Sequence, residues 1–326
     1  MIKFSRLGSC GIITNYFCSS KCKHCMYASS PKWPKDYMEA DLADEVFKTL
    51  AGHGCGSVHI GGGEPLLRPD KLFPVLAAAA GNDVYIEYIE TNASWYKDDE
   101  HAKEVIGKLK QHRVHTLLIS IDPYHNEYVP FRKVKQLIAA CRRYNMEVFP
   151  WQMEFWDDLA AVGDDAVVHS LDEYEEVFDE GFKLGLARRY GINLRGRALQ
   201  TYKHYLDDQP VREILDRSSP CRELLGIHHF HIDLYGNFVP PACSGLALDF
   251  RDAVNGAAPE KYPVYYALAT KGIKGLYEYA VEHHGYTPKD HCKGKCDLCY
   301  DIREYLVMQR NLVLPDLQPT WHYMYM

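Results

Sequence analysis

The sequence predicts an α/β fold in which parallel strands alternate with helices, followed by a cysteine-rich extension. Short β-branched and aromatic runs take turns with amphipathic helical runs up to about residue 205. Beyond that point the pattern changes to a hairpin and a dense set of cysteines. Strands separated by helices imply right-handed crossovers and a parallel sheet. We therefore expect two domains, residues 1–205 and 206–326.

Strands are predicted near residues 11–17, 57–60, 83–89, 116–121, 147–152 and 192–198. The helical patterns between them end near Gly, Asn or a basic residue, as helix termini do. An acidic segment at residues 154–178 follows the fifth strand, and we interpret it as a solvated loop and helix face. In the extension, the sequence HHFHIDLYGNFVPPACSG predicts a hairpin with Tyr-Gly-Asn in its turn.

Composition narrows the class of protein. The chain has 326 residues, 47% of them hydrophobic, which is enough for a sizeable core. A formal net charge of -7 argues against nucleic acid or an anionic membrane as partner. There is no apolar run of membrane-spanning length and no secretory signal, so we expect a cytoplasmic protein.

Eleven cysteines in a reducing compartment indicate metal binding rather than disulfides. Three of them, Cys10, Cys55 and Cys141, stand alone and are interpreted as small buried hydrophobic residues. The other eight form two groups, one near each end of the chain.

The first group, Cys18, Cys22 and Cys25, offers three thiolates within eight residues. Structural zinc takes four ligands, so three cysteines leave one position unfilled. A cubane iron–sulfur cluster held by three thiolates keeps one iron open to a substrate or cofactor. The alternative is a zinc knuckle that borrows a distant ligand such as His24 or His53.

This spacing resembles the cluster-binding motif of radical S-adenosylmethionine (SAM) enzymes. The resemblance implies a 4Fe-4S cluster whose open iron chelates SAM, reductive cleavage of SAM to a 5'-deoxyadenosyl radical, and hydrogen abstraction from a substrate. It places His24 near the adenine. It also implies that the alternating strands and helices form a partial (β/α)6 TIM barrel with functional residues at the C-terminal strand ends.

Later segments extend the resemblance in the expected order. Gly62, Gly63, Glu64 and Pro65 match the GGEP motif, which contacts the SAM amino group in that family. Ser120 ends the fourth predicted strand, where a serine contacts the ribose. Arg132 lies twelve residues further on, where an arginine pairs with the SAM carboxylate. A guanidinium suits this role because its planar fork binds both carboxylate oxygens.

The extension resembles the twitch and SPASM regions that hold auxiliary iron–sulfur clusters in radical SAM enzymes. Its five candidate ligands are Cys221, Cys243, Cys292, Cys296 and Cys299. Five cysteines suggest one auxiliary 4Fe-4S cluster with a thiolate to spare, and spacing does not decide which one. Four cysteines also suit structural zinc, so a zinc site stays an alternative.

Arg195 and Arg197 alternate on the sixth predicted strand, where they are candidates to bind an acidic group of SAM or substrate. Peptide-modifying SPASM enzymes commonly carry an N-terminal leader-binding module, and this chain reaches its cysteine loop by residue 18. The hypothesis is therefore a radical SAM enzyme of the oxidoreductase type acting on a small polar substrate, with a flavodoxin or ferredoxin as reductant. The alternatives are a peptide-modifying enzyme with a separate leader-recognition partner and a non-catalytic iron–sulfur or zinc protein.

Overall fold

The computed structural model describes residues 1–326, which fold into two compact units. The larger unit consists of Gly11–Lys23 and Ser29–Ile192. The smaller unit consists of Met1–Cys10, His24–Ala28 and Asn193–Met326. Residues 24–28 thus belong to the smaller unit although their neighbours in sequence belong to the larger one. The domain boundary after residue 205 stays a prediction.

The larger unit is built on strands that run in the spatial order β5-β4-β3-β2-β1. The pairs β2–β3, β3–β4 and β4–β5 are parallel, as the alternation with helices requires. The strands are β1 (Ser9–Ile13, which enters this unit at Gly11), β2 (Ser57–Gly61), β3 (Tyr85–Thr91), β4 (Thr116–Ser120) and β5 (Glu147–Trp151).

Helices connect these strands and continue beyond β5. Their ends follow the usual rules: Asp98, for example, caps one helix by accepting a hydrogen bond from the backbone of His101 at 2.8 Å. The helices are α1 (Ala40–Gly52), α2 (Pro69–Gly81), α3 (Asp99–Gln111), α4 (Pro123–Asn126), α5 (Phe131–Arg143), α6 (Trp156–Ala161), α7 (Leu171–Val177) and α8 (Phe182–Tyr190). The acidic segment after β5 accordingly contains α6 and α7.

The two faces of this sheet differ sharply. On one face Ile89, Leu117 and Ile119 are completely buried, and α2 and α5 pack against the strands. Each such aliphatic side chain contributes about 1.5–3 kcal/mol by leaving water. On the other face the register aligns Glu90, Leu118 and Phe149 across β3, β4 and β5. The fold class is thus the expected α/β partial barrel, with its helices on one side of the strands.

The sixth predicted strand, residues 192–198, is wrong. Arg195 has extended backbone, and a helix, α9 (Gly196–Tyr202), begins directly after it. Gly196 has a left-handed φ of +52°, which breaks an extended run, and the following residues are mostly good helix formers. Arg195 and Arg197 therefore do not share the face of a strand.

The smaller unit contains the predicted hairpin, made by β7 (His229–Asp233) and β8 (Asn237–Val239) in antiparallel pairing. Asp233 fixes its turn by accepting hydrogen bonds from the backbone of Tyr235 and Asn237 at 2.9 and 3.0 Å. The other strands and helices are β6 (Gln209–Pro210), α10 (Val211–Asp216), β9 (Leu248–Asp249), α11 (Phe250–Asn255), α12 (Pro263–Lys271), α13 (Ile273–His284), β10 (His291–Cys292), α14 (Lys295–Glu304) and α15 (Trp321–Met324).

In the smaller unit β8 pairs antiparallel with β9, and β10 with β6. The helix α14 starts at Lys295 and therefore carries Cys296 and Cys299. None of the protein's helices combines the length and the apolar character that crossing a membrane would require.

Candidate active site and candidate metal centre

In the larger unit the glycine turn after β2 packs directly on the loop that carries Cys18. The backbone N–H groups of Gly63 and Glu64 donate to the carbonyls of Asn15 and Phe17 at 2.7 and 3.1 Å. A Cβ on Gly63 would lie 2.2 Å from the Phe17 carbonyl oxygen, so only glycine fits there. The turn and the cysteine loop are therefore held together by their backbones.

Glu64 links this turn to the end of β3. Its carboxylate is fully buried and accepts hydrogen bonds from the backbone of Leu66 (3.1 Å), the hydroxyl of Thr91 (3.0 Å) and the backbone of Asn92 (2.7 Å). A carboxylate has about four lone-pair sites, so one stays open on Oε2 for a further donor. Burial raises the pKa of Glu64 to about 7 despite these hydrogen bonds.

Asn92, the residue after β3, contacts the loop that carries Cys18. Its amide Nδ2 lies 3.5 Å from Cys18 Sγ and donates to Ser20 Oγ at 3.2 Å. The backbone N–H of Ser20 also points at Cys18 Sγ, at 3.4 Å. Thr91 and Asn92 are both buried. Thr91 donates a hydrogen bond to the Glu64 carboxylate, and Asn92 contacts the Cys18 thiol.

An Asp–His pair at the start of α4 reaches the second cysteine. Asp122 is buried and accepts from both the backbone N–H (3.0 Å) and Nδ1 (2.8 Å) of His125. The His125 side chain also hydrogen-bonds the Cys22 thiol. Burial lowers the pKa of His125, but its interactions with Asp122 and Cys22 outweigh this effect and raise the pKa well above its ordinary value. Sequence reasoning missed His125, although the string SIDPYH placed it just past a strand end.

The structure also locates Ser120 and Arg132. Ser120 is half-buried at the C-terminal end of β4, where it was expected. Arg132 lies in the first turn of α5, with about half of its side chain exposed, and pairs with Asp165 at 2.8 Å and Asp164 at 3.3 Å. Its role in binding the SAM carboxylate stays a prediction.

The segment His24–Ala28, which carries Cys25, is braced within the smaller unit by α9. Arg197 donates through its backbone to the Cys25 carbonyl (3.1 Å) and through its guanidinium to the Ala28 carbonyl (2.5 Å). A Cβ on Gly196 would lie 2.0 Å from the carbonyl oxygen of Met26. Arg197 therefore holds the segment His24–Ala28 in place. His24 and Cys25 within this segment are half-buried.

A recess in the smaller unit, which we call the cavity, gathers four of the five cysteines of the extension. The lining cysteines are Cys221, Cys243, Cys296 and Cys299. The fifth, Cys292, lies in β10 and lines a different recess, where its charged neighbours are Asp297, Asp301 and Lys289. The structure thus separates Cys292 from the other four, which spacing alone did not do.

The cavity is rich in positive charge. Arg303 is buried, with 7% of its surface exposed, and donates to the carbonyls of Ser244 (3.0 Å) and Cys299 (3.3 Å) and to the Tyr323 hydroxyl (2.9 Å). None of these partners carries a carboxylate. Arg195 also lines the cavity, and its buried Nε has no hydrogen-bond partner. A buried cation without a counter-ion is costly, so Arg303 favours an anionic occupant, and the unpartnered Nε of Arg195 could donate to it.

The sulfurs of the cavity cysteines do not form a compact group of the kind that holds a single zinc ion. Tetrahedral zinc with Zn–S bonds near 2.3 Å brings its sulfurs to within about 4 Å of one another. No cysteine belongs to any group of three or more ligand atoms that lie within 4.8 Å of one another. Burial raises the pKa of Cys221 to about 11 and that of Cys243 to about 12, so binding metal must displace their protons.

The aromatic C-terminal segment, residues 321–326, packs against this cavity. His322 lines the cavity, and the Tyr323 hydroxyl donates to the carbonyl of Gly245 at 2.5 Å. Burial lowers the pKa of His322 to about 3, so its imidazole is neutral.

Residues 12–150 match the family model of the radical SAM superfamily. The match covers Cys18, Cys22 and Cys25, the glycine turn and the strands through β5. This part of the chain matches a radical SAM domain, which supports an iron–sulfur enzyme of the radical SAM class. Such a domain implies a 4Fe-4S cluster and SAM as cofactors.

Among solved structures, SuiB from Streptococcus suis bound to its precursor peptide SuiA is similar at 16% identity, over 73% of this chain and 60% of SuiB, with a TM-score of 0.36. The enzyme anSMEcpe with bound AdoMet is similar at 12% identity, over 94% and 98% of the two chains, with a TM-score of 0.43. HemN from Escherichia coli, a coproporphyrinogen III oxidase, is similar at 12% identity, over 94% and 76%, with a TM-score of 0.35. No curated protein matches the chain.

Proposed function

We propose that Cys18, Cys22 and Cys25 ligate the SAM-binding 4Fe-4S cluster and that this chain uses it to oxidise, epimerise or rearrange a small polar substrate. The observation that carries this proposal is the contact of Asn92 Nδ2 with Cys18 Sγ, beside a glycine turn packed on the cysteine loop. Hydrogen bonds to ligating sulfurs tune a cluster, and backbone open to close approach suits a cofactor. When bound, the reduced cluster supplies the electron that cleaves SAM.

The SAM cradle in this proposal consists of His24, Gly62, Gly63, Glu64, Ser120 and Arg132. The open lone pair on Glu64 Oε2 is the acceptor for the cofactor ammonium, and its three existing hydrogen bonds keep that oxygen in place. A carrier protein that only stored metal would have no use for a buried carboxylate held in this way.

For the cavity of the smaller unit we propose a second 4Fe-4S cluster with four protein ligands: Cys221, Cys243, Cys296 and Cys299. A cubane carrying four thiolates is anionic, so Arg303 and Arg195 fit it as counter-charges. Because all four irons would have protein ligands, this centre suits electron transfer better than substrate binding. Cys292 is the spare thiolate.

Anaerobic reconstitution with iron and sulfide, followed by reduction in the presence of SAM, tests this function. We expect about eight irons per chain and formation of 5'-deoxyadenosine. Absence of 5'-deoxyadenosine with several reductants, in protein that holds its iron, would favour the carrier hypothesis.

A further inference from the structure

One face of the sheet in the larger unit carries aromatic rings and a carboxylate that the cofactor proposal does not use. Tyr88 and Glu90 alternate on β3, and Phe149 and Trp151 alternate on β5, so each pair shares a side of its strand. The register places Glu90 level with Phe149, with Leu118 of β4 between them. We call these four residues, Tyr88, Glu90, Phe149 and Trp151, the aromatic–carboxylate face.

The rings of this face form a connected row. Phe149 meets Tyr88 and Trp151 edge-on, each with ring centroids 5.9 Å apart. The indole of Trp151 donates to the hydroxyl of Tyr190 at 3.1 Å, which fixes its orientation. Because the rings are oriented by one another, they can bind a ligand without first being ordered.

This row is open to solvent, in contrast to the opposite side of the same strands. Phe149 is 43% exposed and Trp151 38%, whereas Ile89, Leu117 and Ile119 are completely buried. Contiguous exposed aromatic surface is uncommon on a soluble protein and marks binding sites. The exposure is therefore better explained by a ligand than by the packing of the fold.

Glu90 gives the face its charge. Its side chain is 44% exposed, and its ion-pair partner is the buried imidazole of His59, 3.7 Å away. No lysine or arginine pairs with Glu90 or lies over the rings of Tyr88, Phe149 and Trp151. Aromatic faces and a carboxylate both attract cations, so this face suits a cationic ligand.

Glu90 also stands beside the glycine turn. Its Oε2 would lie 2.9 Å from a Cβ placed on Gly61, the last residue of β2 and the neighbour of Gly62. A group bound by Glu90 would thus be close to the turn that we assign to SAM. A substrate held there would lie beside the proposed cofactor site.

We propose that the aromatic–carboxylate face binds a protonated amine of the substrate, with the ammonium paired to Glu90 and the adjoining carbon skeleton against Phe149 and Trp151. The inference rests on the proposed function, and it names the substrate class as amine-bearing rather than neutral or anionic.

Two probes of equal shape test the charge preference: cyclohexylmethylamine and cyclohexylmethanol. They are titrated calorimetrically into the SAM-bound, cluster-loaded enzyme. We expect the amine to bind with a dissociation constant on the order of 1 mM and about tenfold more tightly than the alcohol. Equal affinities, or no binding of either probe at about 20 mM, would overturn the proposal.

Glu90→Gln keeps the shape of the side chain and removes its charge, so we expect it to abolish the preference for the amine. Glu87→Gln is the matched control, because Glu87 lies on the same strand at the opposite parity and bonds Ser57 at 2.6 Å. A preference that survives in Glu90→Gln would reject the proposal. Iron content and 5'-deoxyadenosine formation, measured on the same samples, separate this failure from a failure of the proposed function.

Discussion

The two cysteine sites of this protein differ in the charge of their surroundings. In the larger unit Cys18 and Cys22 neighbour an amide, a serine and an Asp–His pair, and the buried carboxylate of Glu64 lies beside them in the same network. In the smaller unit four cysteines line a cavity with Arg195 and Arg303 and are closed in by the C-terminal segment. The first site has the buried carboxylates of Glu64 and Asp122 in its hydrogen-bond network, whereas the second has two arginines in its lining.

This difference indicates two kinds of work. A cluster that must bind a cofactor with an ammonium group needs a free iron and a carboxylate nearby. A cluster that only stores or relays an electron is best held by four thiolates, with fixed positive charge to balance it. In the function that we propose, the first site is a reactive centre and the second an electron-transfer centre, and the following experiments test this proposal.

The largest effect is expected from removing Cys18, Cys22 and Cys25 together. Their replacement by Ala should remove about four irons per chain and all SAM cleavage, because the cluster loses its only protein ligands. Iron analysis and chromatography of 5'-deoxyadenosine measure both. A matched triple variant of Cys10, Cys55 and Cys141 should keep its iron, and cleavage that persisted without Cys18, Cys22 and Cys25 would show that the assignment is wrong.

Next in size is the distinction between Cys243 and Cys292. Cys243→Ser should lose about four irons and substrate turnover while keeping some uncoupled SAM cleavage, whereas Cys292→Ser should keep about eight irons. The reason is that Cys243 lines the cavity and Cys292 does not. Loss of iron from Cys292→Ser, or zinc in anaerobically purified native protein, would contradict the four-cysteine assignment.

Arg303 tests the role of charge in the smaller unit. Arg303→Met removes a buried cation beside the proposed cluster, so the reduced, more negative form should lose stabilisation. We expect a shift of the auxiliary midpoint potential to more negative values, by about 59 mV for a tenfold change in the one-electron equilibrium. A redox titration followed by electron paramagnetic resonance measures it. Arg303→Lys keeps the charge and should shift the potential less, and an unchanged potential in Arg303→Met would show that the guanidinium only supports packing.

A smaller effect is expected at Arg132. Its exposed ion pairs with Asp164 and Asp165 are worth at most about 1 kcal/mol, so they would not prevent the guanidinium from turning to a cofactor carboxylate. Arg132→Ala should weaken SAM binding by about tenfold, and Arg132→Lys should recover only part of this.

Titration of SAM against the spectrum of the reduced cluster measures the affinity of each Arg132 variant. Asp165→Asn serves as the control, because it removes the competing partner and should not weaken SAM binding. Equal dissociation constants for the wild type and Arg132→Ala would leave Arg132 as a surface residue.

The smallest effect concerns the pH dependence of stability. Although solvent reaches 44% of its side chain, the surrounding protein atoms partly desolvate the Glu90 carboxylate, and this, followed by repulsion from Glu64, raises the pKa of Glu90 from 4.5 to about 7. The folded state therefore binds this proton more tightly than the unfolded state, and the stability that it contributes falls as pH rises from about 4.5 to 7. Glu90→Gln should raise the melting temperature of the cluster-loaded protein at pH 8 and leave it unchanged near pH 4.5. A Glu90→Gln variant that gained nothing at pH 8 would show that the Glu90 carboxylate is not destabilised in the folded state.

Local patterns in the sequence determined much of this protein. Three cysteines within eight residues, a glycine turn after a strand and the alternation of strands and helices were enough to predict the class of enzyme and the partial barrel, because each is a short-range feature of the chain. The hairpin around Gly236 was predictable for the same reason. The sixth strand was predicted wrongly. The residues around Arg195 and Arg197 alternate like a strand, but Gly196 has a left-handed φ and a helix begins there.

Only the tertiary structure decided which groups meet across long stretches of chain. Asn92 reaches Cys18 from 74 residues away, and Arg303 bonds the carbonyl of Ser244 from 59 residues away. Cys292 is nearer in sequence to Cys296 than Cys243 is, yet it lies outside the cavity that the other four cysteines line. Spacing along the chain fixes the distance between residues only within a turn or a helix. Over longer separations the packing of strands and helices decides this distance. That packing brings together the ligands of the proposed cluster and leaves the aromatic–carboxylate face exposed.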